Sequence, residues 1–454
     1  MNIIELLDKK QDLQINNENK EIYGEIFTPY SFIKRMFNLI PESFFKNPDS
    51  KWLDPGAGSG FFSIFLFNIL YVSLKERIPD SEKRKTHITE NMIYMVEINI
   101  DNILKLKEVF GENANIYHND FLLFNENIQF DFIIGNPPFN SNGLKKVPTN
   151  NSISKRKDGS TIWCDFVKKS ISLLKKGGFL CFITPSIWLK PDKAGMYNYI
   201  LQFKIQKLNC ISNTETNSIF NKGAQTPCCF YLLENKPSDN IISIYDKSFE
   251  CYENYQLYRN KPIPVFGIKI LNKINKFLNN DNKLFFYKSN LPQKNTILID
   301  KENNDYYKNI HTCILQGNKP YLIFKYSNKP CPFYGKKKLI MAHGMYGFPF
   351  IDKNGEYGIS NRDKYIIVDN NLERLEKLKS FFSTKFSLYL FECTRYRMKY
   401  LEKYIFELIP DISKLSDFPS VISNDSIMDY FDLSQEERNT IENFQKKKYD
   451  FFLD

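Results

Sequence analysis

The sequence predicts an α/β protein, with a mostly parallel sheet flanked by helices in the first half and a mixed α+β second half. Two observations carry this. Short β-rich runs alternate with helical patterns as far as Leu233, which implies a parallel sheet with helices on both faces. Beyond Lys261-Pro262-Ile263-Pro264 the texture changes to Tyr, Phe and Lys interrupted by irregular turns.

The predicted strands are Trp52-Leu53, Ile93-Val96, Ile116-Tyr117, Phe132-Ile134, Phe179-Ile183 and Phe230-Leu233, most of them bounded by turn residues. Helices are predicted between them over 61–74, 102–110 and 162–174. In the last, Ile162, Phe166, Val167, Leu173 and Leu174 fall on one face. Ligands of such sheets bind beyond the carboxyl ends of the strands, near the switch point in strand order. Pro237-Ser238-Asp239-Asn240 and Lys261–Pro264 break the pattern, and a domain boundary is expected between them, giving 1–245 and 246–454. In the second half Asp352-Lys353-Asn354-Gly355 reads as a turn. Ser434 and Glu437 form a capping box before a terminal helix. The polar, basic stretch 140–160 is long for a loop in a compact domain, so it is read as functional or disordered.

A chain of 454 residues, 42% hydrophobic and 25% charged, is ordinary for a soluble globular protein. No apolar run reaches the ~18 residues of a membrane span, and the charged N-terminus does not read as a signal peptide. Nine cysteines without CxxC spacing argue for reduced thiols and against a zinc site, so no metal is expected. A net charge of +10 suits a polyanionic partner without demanding one. The abundance of Asn, Lys and Ile points to an AT-rich bacterial or viral genome, and the expected location is the cytoplasm of a bacterium, or of a host cell if viral.

Chemistry is concentrated where strands end. Asn136-Pro137-Pro138-Phe139 follows the apolar run Phe132–Gly135. Two prolines stop the strand and hold the backbone extended. The Asn136 side-chain oxygen and the Pro137 carbonyl then become two fixed acceptors suited to a planar NH2 group, and Phe139 offers a face for stacking. Alone, such a tetrapeptide serves equally well as a strand-ending turn. It has company in Asp54-Pro55-Gly56-Ala57-Gly58-Ser59-Gly60, at the turn from first strand to first helix. There Gly56, Gly58 and Gly60 allow close approach of a cofactor to a helix N-terminus. The spacing is GxGxG, not the GxGxxG of dinucleotide sites. Glu97, ending the second strand, is suited to grip ribose hydroxyls. Asp120, after the third, is an acceptor for an adenine amino group with Phe121 beside it. Three acids at three successive strand ends, Asp54, Glu97 and Asp120, are hard to explain as helix caps. The four histidines need no catalytic role, and His118 is expected to pack.

This set resembles the amino-methyltransferases that use S-adenosylmethionine, specifically N6-adenine DNA methyltransferases of the gamma arrangement, as found in type II restriction-modification systems. Gly24-Glu25-Ile26-Phe27-Thr28-Pro29 is similar to their leading cofactor motif, with Thr28 expected as helix N-cap and Pro29 as first helical residue. The Gly-rich loop, the acids, NPPF, Lys175–Phe179 and Ile183-Thr184-Pro185-Ser186 follow in that group's order. Ile219-Phe220-Asn221-Lys222-Gly223 resembles the segment carrying a second aromatic for the target base. The resemblance covers the first half. It implies a Rossmann-like methyltransferase domain, S-adenosyl-L-methionine as cofactor, and a C-terminal target-recognition domain reading double-stranded DNA. It further implies that the adenine is flipped out between Phe139 and Phe220. Lys336, Lys337, Lys338, Arg395 and Arg397 are the candidate DNA contacts, with a solvated surface as the alternative reading. A monomer is expected, and a separate restriction endonuclease is a compatible partner. Release-factor glutamine N5-methyltransferases share an NPP tetrapeptide and form the second reading, and an RNA-adenine methyltransferase the third. A non-catalytic nucleic-acid-binding relic ranks last.

Overall fold

The structure, a computed structural model, describes residues 27–140, 161–221, 224, 226–258, 260–316, 319–343, 349–396 and 401–444 (backbone only at 315, 316, 319 and 320). The Gly24-Glu25-Ile26 part of the leading motif, most of the basic 140–160 stretch, Lys222, Gly223 and Arg397 lie outside the described residues. The chain divides into two compact units, Met1–Tyr245 and Asp246–Asp454.

The first unit opens with helix α1 (Tyr30–Phe37), followed by β1 (Trp52–Asp54), α2 (Phe61–Ser73) and α3 (Ser81–His87). Next come β2 (Ile93–Glu97), α4 (Ile100–Phe110), β3 (Asn115–His118), β4 (Phe130–Gly135), α5 (Trp163–Leu173) and β5 (Leu174–Pro185). The unit closes with α6 (Met196–Ile200), β6 (Phe203–Ile211), α7 (Asn213–Ile219), β7 (Cys228–Pro237) and β8 (Ile241–Asp246), which reaches the unit boundary. The strands lie in the order β3-β2-β1-β4-β5-β7-β6-β8. Pairing is parallel from β3 through β5 and antiparallel where β7 joins β5 and β6. Strand order reverses at β1, flanked by β2 on one side and β4 on the other. This is the switch point at which a doubly wound sheet opens a crevice.

Helix α2 is apolar nearly all round and buries Phe62, Ser63, Ile64, Phe65, Leu66, Phe67 and Leu70, as a helix enclosed on most sides must. Beneath it an aromatic column runs through the sheet. Trp52 stacks on Phe45 at 5.4 Å and on Phe132 at 3.9 Å, and Phe132 stacks on Phe179 at 5.2 Å. These contacts pin β1 to β4, the two strands whose ends carry the main motifs. The buried face of α5 sits earlier than the sequence pattern indicates. It is built from Trp163, Cys164, Phe166, Val167, Ser170 and Ile171, while Ile162 is the N-cap and Leu174 already begins β5.

Among the described residues, the second unit contains two four-stranded sheets. One has β12 (Lys338–Ala342) and β14 (Lys364–Val368) as central strands, between β9 (Tyr287–Lys288) and β13 (Pro349–Asp352). The other centres on the hairpin of β10 (Tyr307–Gln316) and β11 (Lys319–Ser327). Alternate residues of β12 face two cores. Ile340 and Ala342 join Ile310 and Ile359 between the sheets, while Leu339 and Met341 join a helical core of Phe381, Phe382, Phe391 and Phe431. The terminal helix Gln435–Glu442 begins with the expected capping box of Ser434 and Glu437. The Asp352–Gly355 turn is closed by the Asp352 carboxylate, which accepts from the backbone N–H groups of Glu356 and Tyr357 at 2.9 and 3.0 Å.

Candidate active site

Three chain segments meet at the carboxyl edge of β1, β2 and β4. The loop leaving β1 turns through Gly58 and Gly60, both with positive φ (51° and 88°). Gly60 is the N-cap of α2, and a Cβ there would lie 2.7 Å from Leu106 Cδ2. A side chain is excluded both by conformation and by space. Gly56 is different, because a Cβ there would meet nothing within 4 Å. Its smallness is not used for packing and leaves open surface in front of the loop.

Asp54 is 4% exposed and accepts a hydrogen bond from Ser63 Oγ at 3.1 Å. Its other oxygen, Oδ1, is buried with no hydrogen-bond partner among the described residues. Burial pushes its pKa up to about 7, against the opposing effect of the Ser63 hydrogen bond. Glu97 holds the loop in place: Oε2 accepts from Gly58 N–H at 2.6 Å and Oε1 from Asn99 N–H at 2.8 Å. Asp120 is half-buried, and its carboxylate accepts from Leu122 N–H at 2.9 Å. Phe121 is 3% exposed and packs on Phe166 at 5.1 Å. The sequence reading passed over Ile98, an apolar side chain 50% exposed directly after Glu97. An isoleucine directly after the acid that ends an apolar run was the available signal. His118, expected to pack, is exposed, and its Nε2 donates to the Ile98 carbonyl at 3.1 Å.

Asn136 follows β4 directly, next to the Asp54 loop. A Cβ on Gly135 would come within 3.3 Å of Asp54 Oδ1 and 3.4 Å of Pro55 Cδ, so glycine lets the two motifs touch. Asn136, Pro137, Pro138, Phe139, Phe220, Ala224 and Cys228 line one pocket, which brings together the tetrapeptide and the second aromatic. Phe220 is 4% exposed and is held edge-on against Phe32 at 5.7 Å. Thr28 corrects an expectation. Helix α1 begins at Tyr30, its N-cap is Pro29, and no side chain caps it. The Thr28 hydroxyl, 5% exposed, instead accepts a hydrogen bond from Asn136 Nδ2 at 3.1 Å.

In the second unit the basic candidates separate. Lys336 is exposed and Lys337 half-buried. Lys338 has a fully buried side chain that pairs with Asp352, its cross-strand partner, and donates to the carbonyls of Phe333 and Lys336. It does not reach the surface and is withdrawn as a DNA contact. Arg395 is half-buried and pairs with Glu392 at 2.9 Å. Among the described residues no cluster of His, Cys, Asp and Glu is arranged to hold a metal, and no helix is long and apolar enough to cross a membrane.

Residues 67–220 match the family described as Eco57I restriction-modification methylase. Among curated proteins, the chain is 24% identical over 299 residues to Modification methylase CviBIII of Paramecium bursaria Chlorella virus NC1A, covering 63% of this chain and 70% of that protein. It is 28% identical over 246 residues to Type II methyltransferase M.HincII of Haemophilus influenzae, covering 51% of this chain and 42% of that one. A solved nuclease-deletion form of the Type ISP restriction-modification enzyme LlaGI is similar at a TM-score of 0.47 and 12% identity, over 92% of this chain and 56% of that one. The match takes in Glu97, Asp120, Asn136–Phe139 and Phe220, so residues 67–220, within the unit whose strand order is given above, are similar to the methylase domain of the Eco57I restriction-modification family.

Proposed function

We propose that this protein is a DNA methyltransferase that transfers a methyl group from S-adenosylmethionine to N6 of an adenine flipped out of the duplex. The observation that carries the reading is the shared pocket of Asn136, Pro137, Phe139 and Phe220 beside the Asp54–Gly60 loop. The residues present suit the cofactor: a buried carboxylate oxygen on Asp54 lacks a partner among the described residues, and the glycine turn leaves open space at Gly56. Asp54, Glu97, Asp120, the loop backbone and Ile98 would hold it. When bound, S-adenosylmethionine supplies an electrophilic methyl group.

The adenine amino nitrogen is a poor nucleophile because its lone pair is conjugated with the ring. Asn136 Oδ1 and the Pro137 carbonyl accept its two hydrogens, which draws the lone pair out of the ring plane and fixes its direction. Positioning and electrostatic complementarity provide the rate enhancement. No strong side-chain base is required, since the methylated ammonium is acidic and releases its proton readily. Phe139 and Phe220 hold the extruded base from its two faces. Such stacking is worth about 1–3 kcal/mol per base, enough to offset the few kcal/mol needed to unstack it. Lys336 and Lys337 in the second unit contact phosphate, and Arg395 lies deeper, where base readout would require release from Glu392.

Asn136→Ala is expected to bind S-adenosylmethionine with wild-type affinity by calorimetry and to lose at least about a hundredfold in methyl transfer to DNA, as a missing electrostatic donor or acceptor does in other sites. Near-normal turnover in that variant would remove Asn136 from the mechanism.

A further inference from the structure

The mechanism requires the oxygen of the Asn136 amide, not its nitrogen, to face the substrate amine. Local chain geometry does not secure this. Pro137 restricts the Asn136 backbone to extended conformations, but the terminal torsion of an Asn side chain is broad and roughly twofold. Rotated by half a turn, the amide would present two N–H donors to the two N–H donors of the adenine amine. We infer that Thr28 is the positioning residue that holds the Asn136 amide in the orientation seen here, an assignment that rests on the methyltransferase reading above.

Thr28 lies 108 residues before Asn136 in the chain, and its hydroxyl accepts from Asn136 Nδ2 at 3.1 Å. The contact uses the nitrogen end of the amide and leaves Oδ1 directed away from Thr28, with no donor to it among the described residues. Three features make Thr28 a firm anchor. It is 5% exposed, so water does not compete for its hydroxyl. Its β-branched side chain is stiff at the first torsion. Its hydroxyl is not consumed by helix α1, whose N-cap is Pro29 and carries no side-chain cap. The backbone is held as well, because Pro29 O accepts from the N–H groups of both Phe32 and Ile33 at 2.9 and 3.0 Å. The segment before α1 thus carries a hydroxyl whose observed partner is the amide that meets the base.

Thr28→Val removes the hydroxyl with little change in shape, and Thr28→Ser restores it. For the full-length protein, Thr28→Val is expected to keep S-adenosylmethionine affinity and the KM for DNA within about twofold, while kcat falls about 10- to 100-fold, the scale of a misplaced reacting group. Thr28→Ser should recover kcat to within about threefold. With ¹⁵N-asparagine labelling of the cofactor-free protein, the side-chain amide signal assigned through Asn136→Ala should shift or broaden in Thr28→Val and not in Thr28→Ser. Wild-type kcat in Thr28→Val would overturn the inference. So would a loss confined to S-adenosylmethionine affinity with kcat intact, which would make Thr28 a cofactor contact. Equal defects in the valine and serine variants would also overturn it. If Thr28→Val does not melt cooperatively, Thr28→Ala is measured in the same way. If the wild-type protein transfers no methyl to DNA, the activity reading fails, and the amide signal still tests the contact itself.

Discussion

Asp54 sits in surroundings very different from water, and this has a measurable consequence. Its carboxyl is buried, one oxygen is without a partner among the described residues, and its pKa is pushed up to about 7. A carboxyl whose pKa is higher folded than unfolded destabilises the fold when ionised. The penalty is absent below the ordinary carboxylate range and fully present above pH 7. Asp54→Asn should therefore be more stable than the wild type in urea unfolding at pH 8, by about 2–4 kcal/mol, with the gap shrinking as the pH falls toward 4. It should also bind S-adenosylmethionine more weakly. A gap that does not change with pH would contradict the burial argument. Strained stability at a strand end is a usual accompaniment of a binding site. At this scale the sequence showed which residues matter better than what each one does. Glu97 and Asp120 were legible as acids after strands, but the backbone N–H groups they hold in this structure were not. Thr28 looked like a helix cap because Thr-Pro is a local helix-start signal, and its partner 108 residues away is invisible to any local pattern.

Among elements, the Gly-rich loop and α2 separate two reasons for glycine. Gly60→Ala places a side chain at φ +88° and 2.7 Å from Leu106 Cδ2. It should cost about 2–4 kcal/mol of stability, from the left-handed penalty and overpacking together. Gly56→Ala meets nothing within 4 Å and should leave unfolding within about 0.5 kcal/mol of wild type while weakening S-adenosylmethionine binding. Thermal melting and calorimetry on the two variants check this, and equal effects on both would contradict the division of roles. The parallel strands were readable because Trp52-Leu53, Ile93–Val96 and Phe132–Ile134, within β1, β2 and β4, are buried on both faces and therefore appear as apolar runs. Strand β6, Phe-Lys-Ile-Gln-Lys-Leu-Asn-Cys-Ile, was missed: its polar residues interrupt the run without strict alternation, and two register shifts disturb its pairing with β7. Strand β8 was missed as well, because Ile241–Asp246 falls directly after the Pro237–Asn240 break, in the stretch assigned to the boundary between the halves.

Across the whole molecule, the first unit was legible and the second was not. Its sheets are built from strands as short as two residues, and its order comes from contacts between distant segments, such as Ile310 and Ile359 against Ile340 and Ile366. The Lys336–Lys338 run shows the same limit. Three consecutive lysines look like one exposed cluster, yet the third enters a strand and is buried opposite Asp352. Replacing Lys336 and Lys337 together with Glu should weaken binding to all DNA sequences alike and flatten its salt dependence. Lys338→Ala should instead destabilise the fold by about 3–5 kcal/mol, by leaving a buried carboxylate unpaired. Fluorescence anisotropy at several salt concentrations, with urea unfolding, distinguishes the two. A lysine pair without effect on DNA would move the interface elsewhere on the protein. The central claim concerns which atom receives the methyl group. The most direct test is to incubate the full-length protein with methyl-deuterated S-adenosylmethionine and, separately, duplex DNA, RNA and a Gly-Gly-Gln peptide, and to analyse the hydrolysed products by mass spectrometry. The account predicts deuterated N6-methyladenine from the DNA; label on cytosine, on RNA alone or on the peptide glutamine would contradict it.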